Sequence, residues 1–460
     1  MSDHHLLEPG AGRTASSTDD AAVLRALLDV EAAWVRVQRT LGLVDDGMVQ
    51  AVEEVCRTTP FDAASVAGRS EQGGSPVLPL LADLRAAVAQ RSPAAAQAVH
   101  RGLTSQDVLD SALMLLARRS LNGLRGSLRS AGDALAGLAD THRGTLAVGR
   151  TLGQSALPTT FGLKAAGWLG AVDDVLAELD AVDRALPVQC GGAVGTLAAV
   201  EALAPGRALH AADLLAGDLG LAAAGRPWHT DRGPVTRLGD ALVRAADTLG
   251  KIASDVVLLS RPELGELAEP TSDGRGASST LPQKHNPVLS VLVRSVALEA
   301  PYLGAQLHTA AALAADERAD GAWHAEWPAL LRLLGRVPAA AAQLAEVLAG
   351  LQVDATAMRG HVDAAGPALL GERLAAVVGG WPAVRTPLIE ALRSGASTAQ
   401  VRELLRAAVP ADDLSDDRLD DLLDPATYLG ASDALVDRAI TRHRALRQQP
   451  VPGAAAQDGA

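Results

Sequence analysis

Residues 233–262 read GPVTRLGDALVRAADTLGKIASDVVLLSRP, and the spacing of their apolar side chains decides the fold. Val235, Leu238, Leu242, Ala245, Leu249, Ile252, Val256 and Leu259 recur at steps of three or four. That is one stripe along a helix. Pro234 suits the first helical turn, where its missing N–H costs nothing, and Pro262 marks the end. The stripe implies a helix of about 25 residues, long for a globular domain.

Working outward, Leu113, Leu116, Leu121, Leu124, Leu128, Leu135 and Leu138 repeat the pattern, as do residues 159–185, 287–313 and 327–350. Five long helices with apolar stripes point to a bundle. No sustained heptad with charged flanks favours a coiled-coil rod. Strand-like alternation and a Gly-rich nucleotide fingerprint are not evident. The expected fold class is therefore all-α. Shorter helices are expected on either side. One stripe, Val23, Leu24, Leu27, Leu28, Val30 and Trp34, lies near the start. Others fall between about 355 and 445, interrupted at Pro410-Ala411-Asp412-Asp413 and Asp424-Pro425. The expected organisation is a mobile tail over 1–20, an N-terminal helical domain over 21–108, a central bundle over 109–353 and a C-terminal helical domain over 354–447. A disordered tail is expected over 448–460.

Composition restricts the functions. The chain has 460 residues and a formal net charge of -13, so a general attraction to nucleic acid or an anionic membrane is not expected. Aromatic residues make up 2%, which leaves Leu, Val and Ala to build the core. Cys56 and Cys190 stand in no CxxC or Cys/His ligand spacing, so neither a disulfide framework nor a metal site is expected, and no cofactor is implied. The opening MSDHHLLEPG lacks a basic stretch followed by an apolar run, and no uninterrupted apolar run of about 18 residues occurs. The cytoplasm is the expected compartment. Only Lys164, Lys251 and Lys284 are lysines, so one inside a chemical motif is conspicuous.

Such a motif is Gly276-Ala277-Ser278-Ser279-Thr280-Leu281-Pro282-Gln283-Lys284-His285-Asn286-Pro287, between two helical patterns. It gathers hydroxyls, a lysine and an amide, and Pro287 can open a helix whose N-terminal N–H groups would favour an anion. The segment resembles the signature G-S-S-x-M-P-x-K-x-N of the fumarase/aspartase lyase superfamily, with Leu281 where Met is usual. His100-Arg101-Gly102-Leu103-Thr104-Ser105-Gln106-Asp107 resembles the superfamily's H-x-G-x-T-S-x-D. Gly149-Arg150-Thr151-Leu152-Gly153-Gln154-Ser155-Ala156-Leu157-Pro158 resembles G-R-T-H-x-Q-x-A-x-P. Pro227–Arg232 and Glu317–Trp327 are similar to stretches of the bacterial 3-carboxy-cis,cis-muconate cycloisomerases, and the resemblance spans roughly residues 20–445.

The resemblance implies three helical domains, a five-helix central bundle with its signature loop at 271–287, and a homotetramer with a twenty-helix core. Each active site would draw on three chains. The implied reaction moves a proton at the carbon beside a carboxylate while a group joins or leaves the neighbouring carbon. Ser278 would exchange that proton, and Lys284 and Asn286 would stabilise the charge on the intermediate. Thr104, Ser105, Thr151, Gln154 and Ser279 would hold a small tricarboxylate substrate, with lactone closure as the implied chemistry. A free serine hydroxyl is a poor base, so loop closure must supply donors and exclude water.

Leu152 is a departure, because it replaces a histidine that serves as an acid in adenylosuccinate lyases and fumarases. A carboxylate leaving from a lactone is weakly basic and needs little acid help. Nitrite is also weakly basic, so loss of nitrite from nitrosuccinate is an alternative. A non-catalytic, crystallin-like relative is another, and a helical scaffold a third, though the scaffold leaves the motifs unexplained. Some cycloisomerases carry a histidine where Ser155 stands, which leaves a second acid/base unassigned. His100 is the first candidate, then His229 and His324, though the latter two read equally as structural. Thr104-Ser105 also fits a helix N-cap. Trp323 and Trp327 fit an i,i+4 core pair. Arg232 reads equally as a bidentate partner of a substrate carboxylate or as a surface ion pair.

Overall fold

The apolar stripes become helices in the computed structural model, which describes residues 6–272, 274–277, 280–281 and 283–448. The first long helix is α1, Asp20–Thr40, capped by the Asp19 carboxylate on the amide of Ala22 at 2.8 Å. Then follow α2 (Ser105–Thr141), α3 (Phe161–Arg184), α4 (Gly233–Leu259), α5 (Val288–Ala312) and α6 (Gly321–Ala349). These are the five long helices expected from the sequence. The last helix, α7, is Ser432–Arg447. Shorter helices fill the intervals.

Within the bundle α4 lies between α3 and α5, α5 packs on α6, α6 on α2, and α2 on α3. Small residues allow the close approach of α4 and α5: a β-carbon at Gly250 would sit 2.3 Å from that of Ala297. Buried side chains from α1 through α6 form one continuous core, joined by Val436 and Ile440 of α7. Residues 370–423 build a smaller core of their own. The last helix is held by His443, whose Nδ1 meets Asp173 of α3 at 2.8 Å and whose Nε2 meets Asp133 of α2 at 3.1 Å.

Three features differ from expectation. Residues 6–19 are not a loose tail: Ala11–Arg13 forms a 3-10 turn against α6, and Ala15–Ser17 one against α1 and α2. There the Thr14 hydroxyl donates to the Gly335 carbonyl at 2.7 Å, and Arg13 pairs with Glu346. Secondly, an antiparallel hairpin, β1 (Leu146–Thr151) and β2 (Gln154–Thr160), projects between α2 and α3. A second small pair joins β3 (Leu267–Ala268) to β4 (Gln352–Val353). Thirdly, α5 is long and apolar enough to cross a membrane, and only 33% of that stretch is buried within the chain. Its position between α4 and α6 makes it a bundle helix with an uncovered face. The tail expected at 448–460 lies, beyond Gln448, outside the described residues.

Candidate active site

The 98–107 segment is fastened to α1 from below. Trp34 donates its indole N–H to the Arg101 carbonyl at 2.8 Å, and Gln38 its amide to the Ala98 carbonyl at 2.8 Å. Glu31 meets Nδ1 of His100 at 2.7 Å. His100 itself has φ 62, a left-handed conformation that costs a residue with a β-carbon about 1–2 kcal/mol. Thr104 and Ser105 then start α2. Asp107, three residues into the turn, accepts the Thr104 amide at 3.0 Å, so these residues do open a helix as the cap reading expected.

Asp107 does more than cap. It also accepts the amides of Gly191 and Gly192, each at 2.9 Å, and Nε2 of His229 at 2.9 Å. One buried carboxylate thus ties residues 191–192 to two stretches, 100–107 and 227–232, that the sequence set apart as motifs. His229 is buried on Asp107 and so takes its structural reading. His324 is exposed, with Nε2 2.7 Å from the Gly74 carbonyl.

Arg232 requires a correction. It is 2% exposed, neither at the surface nor open to a substrate carboxylate. Its guanidinium holds Asp110 at 2.8 and 3.1 Å and also pairs with Glu326. It stacks over the Trp228 ring at 4.7 Å. The indole of Trp323 donates to the same Asp110 at 3.0 Å, and Trp323 meets Trp327 edge to face at 4.7 Å, as core residues. Burial pushes the Glu326 carboxyl up, and the guanidinium opposes that shift.

Sequence reasoning missed Arg318. Its guanidinium donates to the Ser105 hydroxyl at 2.6 Å and lies 5.8 Å from the Trp323 ring, placing a cation at the expected carboxylate hydroxyls. Its place within the quoted Glu317–Trp327 stretch was the available signal.

The second segment is the β1–β2 hairpin. Thr151 pairs with Gln154, and Leu152 and Gly153 turn the chain with φ of 51 and 79. Both central residues at positive φ define the tight turn that matches strand twist. Thr151, Leu152, Gln154 and Ser155 are all exposed at this tip. Arg150 anchors the hairpin through two contacts to Glu266, at 2.6 and 3.1 Å, and His361 meets the same carboxylate at 2.7 Å.

The third segment closes on itself. Asn286 donates its amide at 2.9 Å and its side-chain N–H at 3.0 Å to the Gly276 carbonyl. Only glycine fits position 276: φ is 72, and a β-carbon would lie 2.6 Å from the Asn286 carbonyl oxygen. Lys284 and His285 are exposed. Ser278, Ser279 and Pro282 lie outside the described residues. The α5 N-terminus, expected to favour an anion, holds the chain's own: Glu269 accepts from Leu289 and Ser290 at 3.2 and 2.6 Å.

The helical bundle thus presents three polar segments, the first tied down by Asp107, the second by Glu266 and the third closed by Asn286 on Gly276. Residues 21–301 match a family model described as lyase. The chain is 44% identical over 458 residues to a nitrosuccinate lyase of Streptomyces davaonensis, covering 95% of this chain and 94% of that one. It is 38% identical over 443 residues to a 3-carboxy-cis,cis-muconate cycloisomerase of Bradyrhizobium diazoefficiens, covering 95% and 96%. Among solved structures, the 3-carboxy-cis,cis-muconate lactonizing enzyme of Pseudomonas putida superposes with a TM-score of 0.83 at 33% identity, over 92% of this chain and 95% of that one. The chain belongs to the fumarase/aspartase lyase superfamily.

Proposed function

We propose that the chain is a 3-carboxy-cis,cis-muconate cycloisomerase, closing a lactone on a small tricarboxylate. One substrate carboxylate oxygen bonds to the neighbouring alkene carbon. The π electrons move into an aci-carboxylate, and the Ser278 hydroxyl gives its proton to the carbon beside that carboxylate. Lys284 and Asn286 stabilise the transient charge. Thr104, Ser105, Thr151, Gln154 and Ser279 hold the carboxylates, and His100 is the second proton carrier.

The observation that carries this reading is the likeness, over most of the chain, to several relatives and a solved structure named for lactonisation, and the residue at the hairpin tip that agrees with it is Leu152. It stands at the hairpin tip, between Thr151 and Gln154, where an imidazole would protonate a strongly basic leaving group. A lactone carboxylate asks for no such acid. The relatives and the solved structure named for lactonisation support the substrate.

A second reading is elimination of nitrite from nitrosuccinate, in which the C–N bond breaks as Ser278 removes a proton from the adjacent carbon. The 44% identity to a nitrosuccinate lyase favours it, and Leu152 fits it equally. Parallel assays separate the two: loss of carboxymuconate absorbance against release of nitrite. The wild type is expected to consume carboxymuconate, and Ser278→Ala to lose that activity. Nitrite release without lactone formation would move the assignment to the second reading. Absence of both activities would sink the enzymatic proposal.

We further propose a homotetramer whose sites combine segments from three chains. Its support is the exposed apolar stripe of α5 and the leucine exposed at the hairpin tip.

A further inference from the structure

We propose that Glu31 is a positioning residue, paired with His100 so that Nε2 of that imidazole serves as the second proton carrier. The inference rests on the lyase reading above and deepens it. Four observations support it.

Glu31, Trp34 and Gln38 lie at steps of three and four along α1, on one face, and all three hydrogen-bond within residues 98–101. All three are almost wholly buried, Glu31 being 1% exposed. They hold in place a residue that a free chain would not place there, since His100 occupies the left-handed region at φ 62. A strained backbone so completely braced is a feature found where geometry serves chemistry.

The identity of the middle contact is informative. A carboxylate accepts hydrogen bonds and donates none, so with Glu31 ionised Nδ1 of His100 is the protonated ring nitrogen and donates to it. That fixes the tautomer and leaves Nε2 as the ring atom that gains or gives up a proton. The imidazole side chain keeps 11% of its surface open while its carboxylate partner keeps none to speak of.

The cost of the arrangement argues against a merely structural contact. Oε2 of Glu31 has no hydrogen-bond partner among the described residues. A buried carboxylate with one polar partner is an expensive way to hold a loop, and the neutral amide of glutamine would do it more cheaply. What glutamine lacks is a charge to stabilise imidazolium when Nε2 takes up a proton.

In the lactonising direction Ser278 gives its proton to carbon and must regain one. Nε2 of His100 first takes a proton from solvent to give the imidazolium; that Nε2–H then breaks as the serine O–H re-forms, which returns the ring to the tautomer protonated at Nδ1. Glu31 remains a carboxylate throughout, as the orienting member of such pairs does.

The test compares Glu31→Gln, His100→Asn and the double variant in the full chain, with both substrates. Asparagine tolerates the left-handed backbone, which makes it the conservative choice at 100. Glu31→Gln is expected to lower kcat by about 10²-fold, the scale of a lost proton-transfer contribution, with KM and thermal midpoint held. In the double variant, Glu31→Gln should cost nothing beyond His100→Asn alone. Ring ¹⁵N spectra of labelled histidine, with the His100 signals assigned by their loss in His100→Asn, should show Nδ1 protonated in the wild type and the pattern disturbed in Glu31→Gln. An unchanged kcat in Glu31→Gln overturns the inference. So does a further loss in the double variant, or a loss that merely follows thermal stability while the ring nitrogens stay as they were. Should the wild type turn over neither substrate, the lyase reading fails instead, and the nitrogen spectra still decide whether the pair exists.

Discussion

Arg232 and Asp110 face each other in the interior with contacts of 2.8 and 3.1 Å, and Glu326 closes the other side of the guanidinium. Removing the arginine strands two buried carboxylates. Arg232→Leu is therefore expected to cost about 3–5 kcal/mol of stability, read from denaturant unfolding. A residue that held a substrate carboxylate would behave differently: KM would rise while the unfolding midpoint stayed in place.

Legibility in the sequence followed the range of the interactions. The stripe from Val235 to Leu259 became α4 because each of its side chains meets a neighbour within a turn and faces one core. The hairpin at 146–160 escaped because its alternation is short and its turn puts Leu152, rather than Asn or Gly, in the left-handed region. Residues 6–19 escaped because backbone and hydroxyl bonds such as Thr14 to Gly335 leave no hydropathy pattern. Of the site residues, Lys284 and Asn286 stood out through their motif. Glu31 could not, because it meets His100 across 69 positions of sequence. Arg232 was misplaced, as a substrate contact or a surface pair, because its partners Asp110 and Glu326 stand 122 and 94 positions away in sequence.

Lys284 is exposed on a segment whose neck is closed by Asn286 on Gly276. The fold therefore does not depend on its ammonium, whereas the proposed intermediate does. Lys284→Ala is expected to lower kcat by roughly 10²–10³-fold, the scale of one lost oxyanion donor. Thermal unfolding should be unchanged. Steady-state kinetics beside a melting curve checks both halves.

Lys164 supplies a pH prediction. Burial within α3 lowers its ammonium below the ordinary value of 10.5. The unfolded chain keeps this proton up to 10.5 and the folded chain releases it earlier. Between the two values the unfolded state binds more protons, so the penalty for folding with Lys164 is fully present at neutral pH and fades as pH approaches 10.5. Lys164→Met should be the more stable protein at pH 7, by about 0.5–2 kcal/mol, and its advantage should shrink through the alkaline range. Urea unfolding at several pH values tests it, and an advantage that grows with pH would contradict it.

The uncovered face of α5 leads to the last prediction. Leu298 is 70% exposed and Tyr302 79%, and with Val291 they fall on one side of the helix at steps of seven and four. A bundle helix with so large an apolar stripe in water marks a contact surface rather than a finished exterior. On the proposed assembly, this stripe meets other copies and brings the exposed hairpin tip at Leu152 to a neighbour's segments. Leu298→Glu combined with Tyr302→Glu would place charges in that contact without disturbing the chain's own core, since both positions point away from it. Light scattering should then report a tetramer for the wild type and a smaller species for the double variant, while circular dichroism keeps the helical signal. Activity per chain should fall by roughly 10²-fold, because the proposed site loses the groups that other chains position. A double variant that stays tetrameric, or becomes monomeric and keeps full activity, would show that the stripe serves some other purpose and that each chain carries a complete site.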